Sequence, residues 1–461
     1  MFEIKTSPTN LCLLYSSDMR KQLYTIIFAG LLIGVILALI IMAVSKTAPS
    51  PEAALLQPVK INSDQSTVGD QNISAAQGLI EKQPADPKGY NMLSAAFMQK
   101  ARETGDFSFN ARAEEALKHS FRVAPDNYEG IKLQAALLLN FHRFSEALQV
   151  AERAQAINPR NHDVYGAMVD ALVELGDYKR AVDAAQTMVD LRPDTSSYSR
   201  ISYLRSLHGD TEGAIEAMDM AAKAANPKNP ESVAWCRVHL GDELMNDGKL
   251  KEAEHEYDYA LYSFPNYHLA LAAKARARYA AGDTDNAIVF YKRAVERVPL
   301  PDYIAALGDL YAKVGRADEA KQQYDQVEFI EKMGANSGTY SRQLALFWAD
   351  HDVRLDDALA IAERERAIRN DIYASDILAW CLYKKGRFEE AKTAINEALR
   401  LSTRDPRLLY HAGMIALSTG DNKKGADYLK QALAINPSFD ILQSDIAKEK
   451  VKLTNTGKKS S

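Results

Sequence analysis

The strongest constraint on this chain is that it repeats itself. "DGKLKEAEHEYDYALYSFP" (Asp247–Pro265) and "AGDTDNAIVFYKRAVERVP" (Ala281–Pro299) are variants of one pattern. "LGDYKRAVDAAQTMVDLRP" (Leu175–Pro193), "KGRFEEAKTAINEAL" (Lys385–Leu399) and "TGDNKKGADYLKQALAINP" (Thr419–Pro437) follow it too. Gly248 to Gly282, Ala147 to Ala181 and Gly386 to Gly420 each span 34 residues. That length holds two helices and a turn. One such hairpin cannot bury its apolar face alone, so neighbours must stack into an all-α solenoid.

Each unit states its own geometry. The first helix offers small and apolar residues at helical spacing, as at Leu240, Gly241 and Leu244, or Leu307, Gly308 and Tyr311. A glycine (Gly248, Gly282, Gly315) then takes the left-handed turn. The second helix places Ala253 or Ala287 where the two helices cross, with Tyr257 or Tyr291 and Ala260 or Ala294 on the same face. Pro265 and Pro299 cannot continue a helix and separate one unit from the next. Units are expected from Gly89 and from near Tyr128, His162, Thr195, Ala234, His268, Pro301, Thr339, Ile372 and Pro406. Residues 72–84, "NISAAQGLIEKQP", read as a cap at the amino end of a solenoid over 72–438. Residues 439–461 read as a polar capping helix and a disordered basic tail.

Ahead of the repeats, "LYTIIFAGLLIGVILALIIMAV" (Leu23–Val44) carries no charge. About 20 such residues cross a hydrocarbon core, whereas a cleavable signal has a shorter apolar region. The expectation is a transmembrane signal anchor over residues 22–45, a short cytoplasmic segment 1–21 and a flexible tether 46–71. Arg20 and Lys21 against Lys46 alone favour the amino terminus inside and the repeats outside the cytoplasm. Gly30, Gly34 and Ala38 share one face of this helix, a seam on which a second copy could pair.

Chemistry is harder to find. Lys+Arg 56 against Asp+Glu 61 gives a net charge of -5, which argues against a nucleic-acid binder. Cys12, Cys236 and Cys381 form no C-x-x-C pair and read as packing residues. Phosphate-loop, H-E-x-x-H and G-x-S-x-G motifs are absent. "LALFWADHDVRLDDALAIAE" (Leu344–Glu363) gathers Asp350, His351, Asp352 and Asp357 and looks at first like a metal or acid–base centre. On the repeat grid Ala358 takes the crossing position and Val353 the place of the turn glycine. Adjacent residues on a helix point about 100° apart, so the cluster does not converge on one ion. The expectation is no catalytic residue, no metal and no cofactor.

These repeats resemble tetratricopeptide repeat (TPR) proteins. Wording such as "KARETGDFSFNARAEEAL", "YSRISYLRSLHGD" and "LALFWADHD" is similar to a bacterial group of membrane-anchored TPR proteins with no assigned reaction. The resemblance implies a right-handed superhelix whose inner face is lined by set positions of the first helices. Carried onto this chain, that face comprises Lys132, Asn140, Asp170, Glu174, Trp235, Asp242, Asn246, Arg276, Tyr279, Asp309, Phe347, Trp380, Tyr383 and Tyr410. Such a face suits a peptide or protein partner. The expected function is a membrane-tethered scaffold or adaptor of the bacterial cell envelope. The alternatives are an accessory subunit of an envelope enzyme or assembly complex, and a self-assembling array.

The repeat register has a direct test. Ala287→Leu should overpack a helix crossing and cost about 1–3 kcal/mol. An unchanged melting temperature would place the register elsewhere.

Overall fold

The computed structural model describes residues 66–334 and 341–456. The expected anchor, with Gly30, Gly34 and Ala38, lies outside them, as does Cys12. Among the described residues there is no strand, and no helix is long and apolar enough to cross a membrane.

A single helix, α1 (Val68–Lys82), leads ten hairpins. The first five are α2 (Pro87–Thr104) with α3 (Ser108–Val123), α4 (Tyr128–Asn140) with α5 (Phe144–Ile157), α6 (His162–Glu174) with α7 (Tyr178–Leu191), α8 (Thr195–Leu207) with α9 (Thr211–Ala224), and α10 (Pro230–Asn246) with α11 (Leu250–Ser263). Then come α12 (His268–Ala280) with α13 (Thr284–Arg297), α14 (Pro301–Lys313) with α15 (Ala317–Gly334), and α16 (Ser341–Asp350) with α17 (Leu355–Ile368). The last two are α18 (Ile372–Lys384) with α19 (Phe388–Ala398), and α20 (Pro406–Ser418) with α21 (Asn422–Ile435). Helix α22 (Gln443–Thr456) closes the array.

Local chemistry sets these boundaries. Asp194, Asp371 and Asp405 cap their helices by accepting backbone amides of the first turn, and Pro230, Pro301 and Pro406 occupy the first helical position. The unit expected near Ala234 starts four residues earlier because Asn229 and Pro230 already provide that start. Helix α1 likewise begins inside the expected tether. Thr67 and Asp70 form a reciprocal capping box, and Lys100 of α2 pairs with Asp70 at 2.7 Å.

The crossing alanines Ala147, Ala181, Ala253, Ala287, Ala358 and Ala391 are completely buried. First-helix glycines make room for large residues of the second helix. A Cβ on Gly308 would lie 2.6 Å from the Tyr324 ring. Cys236 and Cys381 are buried in the packing, and burial pushes both thiols up to about 12.

The α16–α17 turn corrects one placement. The left-handed residue is Asp352 (φ 54), not Val353, and Arg354 (φ 46) is left-handed as well. This turn holds one residue more than its neighbours: two non-helical residues lie between His351 and Asp352 and helix α17, against one after Gly176. The extra residue restores Ala358 to the crossing.

Stacking is not confined to chain neighbours. Asn370 N–H donates to the Glu174 carbonyl at 2.9 Å, and Ile372 N–H to the Tyr178 hydroxyl at 2.8 Å. Arg369 pairs with Glu174 at 3.0 Å across 195 residues, and Thr403 reaches the Ser206 carbonyl across 197. The solenoid therefore coils back onto itself after roughly that length. The largest apolar cluster accordingly joins residues 131–207 to residues 304–447, while the hairpins around α10–α13 keep clusters of their own. The core is thus several clusters joined across turns rather than one continuous strip.

The seam makes a prediction about two turn glycines. Gly282 (φ 82) has open space around its missing Cβ, whereas a Cβ on Gly176 (φ 76) would press into the Asn370 carbonyl oxygen. Gly282→Ala should cost about 1–2 kcal/mol, the ordinary penalty of left-handed backbone. Gly176→Ala should cost clearly more in denaturant melts. Equal losses would mean that the coils do not rest on one another there.

A candidate ligand cavity inside the coil

First helices α10, α12, α14, α16, α18 and α20 line one cavity of about 600 Å³. The segment between α21 and α22 closes it. The Ile441 carbonyl accepts from the Tyr279 hydroxyl at 3.2 Å and from Lys313 Nζ at 2.8 Å, across 162 and 128 residues. Lys313 also pairs with Asp445 at 2.7 Å, and Arg407 with Asp440 at 2.9 Å. The Ile441 side chain joins the cluster of Leu271, Leu307 and Leu310. The expected cap is therefore also a clasp. It ties α12 and α14 to the end of the array.

The wall carries seven aspartates and three arginines, with no lysine. Asp242 accepts from the Tyr257 hydroxyl at 2.8 Å and from Arg276 at 2.7 Å. Asp309 accepts from the Tyr324 hydroxyl and lies 2.8 Å from His351 Nε2. Burial works against the His351 imidazolium, but the Asp309 contact outweighs it and raises the pKa. Asp350 accepts from Trp380 Nε1 at 2.7 Å and from the Gln443 amide, and burial raises its pKa. Asp302 is exposed, yet it lines the cavity, and desolvation by the surrounding protein raises its pKa too. Glu243, beside Asp242 in α10, is pushed by burial to about 7 although Ser206 donates to it at 3.1 Å.

The structure brings Asp242, Asn246, Arg276, Tyr279, Asp309 and Phe347 together on this wall. Others of the expected inner face lie elsewhere. Lys132 bridges to Asp163 at 3.1 Å, Asn140 to Asn110 at 3.3 Å, and Asp170 to Arg200 at 2.6 Å, each a tie between adjacent repeats. Glu174 belongs to the seam between coils. Trp235 is half-buried against His239, ring centroids 4.2 Å apart. Trp380 and Tyr410 are corrections: both are 1% exposed and belong to the core. Tyr383, half-buried, stacks on Trp380 at 4.9 Å.

The aspartates around His351 do not converge. Asp350 holds Trp380, His351 turns to Asp309, Asp352 pairs with Lys384 at 2.9 Å, and Asp357 with Arg354 at 2.8 Å. Among the described residues no group of three or more His, Cys, Asp or Glu is placed to hold a metal. Sequence reasoning missed Asp302, Tyr373 and Arg407, which also line the cavity. All three sit at the second position of their helices, so the register that found Asp309 contained the signal for them.

Family models described as tetratricopeptide repeat match residues 138–202, and residues 239–300 and 378–438. The hairpins in those stretches are tetratricopeptide repeats. The human Protein O-mannosyl-transferase TMTC1 is 26% identical over 218 residues, 46% of this chain and 24% of that protein. BBSome complex member BBS4 of Bos taurus is 24% identical over 308 residues, 63% of this chain and 54% of that protein. The chain thus spans 24% and 54% of the length of these two curated relatives. The crystal structure of PilW, a type IV pilus biogenesis factor, shares 17% identity over 44% of this chain and 92% of that one, with a TM-score of 0.39.

Glu243 makes the electrostatics testable. Its folded pKa of about 7 stands above the ordinary 4.5, so the folded state holds a proton that the unfolded chain releases. Stability from this group is full below pH 4.5 and is lost as pH rises towards 7. Glu243→Gln keeps an acceptor for Ser206 and removes the titration. The variant should gain melting temperature relative to the parent between pH 5 and pH 8. A constant difference across that range would leave Glu243 normally titrating.

Proposed function

We propose that this array of tetratricopeptide repeats is a scaffold that holds a peptide segment of a protein partner in its interior cavity. The observation that carries the reading is the clasp. Tyr279 and Lys313 already bind the main-chain carbonyl of Ile441, in a segment that is neither helix nor strand. The edge of the cavity thus already accommodates an irregular main-chain segment, held through its carbonyl by Tyr279 of the wall and by Lys313 beside it. Tetratricopeptide repeats commonly serve as binding scaffolds, and the cavity is preformed, which lowers the ordering cost of binding.

The reading is a non-catalytic one. The wall carboxylates Asp242, Asp309, Asp350 and Asp376 each hold a protein side chain, which suits a fixed binding surface. The uncharged stretch Leu23–Val44 supports a membrane tether, with the repeats outside the cytoplasm in a bacterial envelope.

Two measurements test this. Deletion of residues 23–44 should release the protein from membranes that otherwise retain it through alkaline washing. In intact membranes, photo-crosslinking from Asn246 should capture a discrete partner, and Ala306→Trp, which fills the cavity, should abolish the capture with little change in melting temperature. Capture that persists in the filled variant would remove the cavity from the function.

A further inference from the structure

The interior is unevenly charged, and the imbalance concentrates around Arg407. Asp302, Asp350, Asp405 and Asp440 all feel this one guanidinium, which is itself paired with Asp440 at 2.9 Å. The other two wall arginines are engaged as well, Arg276 with Asp242 at 2.7 Å and Arg342 with Asp371 at 2.8 Å. Among the described residues, Asp302, Asp350 and Asp405 have no cationic side chain in salt-bridge contact. Several carboxylates that line one cavity without a cation in direct contact stand at a cost that a further cation would relieve.

A second observation points the same way. Gln443 is 4% exposed and donates its amide N–H to Asp350 on the cavity wall. Its Oε1 has no hydrogen-bond partner among the described residues. A buried carbonyl oxygen left unmet carries a desolvation penalty. It lies in the side chain hydrogen-bonded to the Asp350 carboxylate of the wall, so an unmet acceptor stands directly behind that carboxylate. Tyr373 and Phe439 also line the wall, and aromatic rings favour a nearby cation.

We propose that the cavity takes the ammonium or guanidinium group of a lysine or arginine side chain, presented by a basic segment of the partner. The inference rests on the scaffold reading and specifies its ligand. Asp302 is the entry group, since it is exposed to the cavity and unpaired. Asp350 is the inner acceptor. The same chemistry could be supplied by a free polyamine, and the test separates the two sources.

The full-length protein in detergent is titrated into three fluorescent peptides of equal length, alternating glycine with lysine, glutamate or serine, and anisotropy is read. The lysine peptide should bind most tightly and weaken as salt rises. Asp302→Asn should weaken it by about tenfold, and Asp302→Lys further, with no loss of melting temperature. If the serine or glutamate peptide binds as well as the lysine one, or Asp302→Asn changes nothing, the cation inference falls while the scaffold reading stands. If no peptide binds, the peptide-cavity reading falls with it. Spermidine should compete with the lysine peptide. Spermidine that binds where the lysine peptide does not would assign the site to a free amine and overturn the peptide form.

Discussion

The cavity exists because one coil of the solenoid rests on the next. A stack of hairpins in which each touches only its neighbours has an open inner face, and its stability is a sum of local terms. Here Glu174 and Tyr178 meet Arg369, Asn370 and Ile372 across almost 200 residues. Arg369 is 5% exposed, lies between Glu174 and Glu365, and stacks over the Phe144 ring at 4.7 Å. A buried ion pair of this kind is costly to break, because the partner left behind remains out of water. The seam converts a linear array into a closed coil with an interior.

That interior stays polar for a physical reason. The first helices bury their apolar sides between hairpins, so the side facing inward is left free to carry charged residues. The aspartates there mostly serve structure: Asp242 fixes Tyr257, Asp309 fixes Tyr324, and Asp376 lies 2.9 Å from the imidazole of His411. Each ties a first helix to its own second helix or to the next hairpin. Their charge is a by-product of that bonding, and it accumulates because all six first helices turn the same face inward.

Much of this was legible in the chain. The alanines at the crossings, the turn glycines and the capping residues act over a few residues, so seven of the expected unit starts coincide with observed helix starts, from Tyr128 to Pro406. What escaped was long-range. The resemblance to tetratricopeptide repeat proteins put Trp380 and Tyr410 on the inner face, but the clasp covers them. Gln443 bonds to Asp350, which holds the Trp380 indole, and Phe439 packs on Tyr410 with ring centroids 5.5 Å apart. The turn at Asp352 escaped because Val353 precedes Ala358 by the same interval that separates Gly282 from Ala287 and Gly386 from Ala391, so the inserted residue does not show in that spacing. Nothing local in the sequence announces that residue 174 will meet residue 369.

Closure and charge then turn out to be one device. Lys313 is the lysine that approaches the clasp, and it is spent on the Ile441 carbonyl and on Asp445. Arg407 is drawn to Asp440 in the same segment. By folding over the cavity, the carboxy-terminal segment takes up nearby positive charge and adds Asp440 to the wall. The contacts that shut the coil are therefore also those that leave its interior anionic, and opening the clasp would change both the shape and the charge that an incoming segment meets.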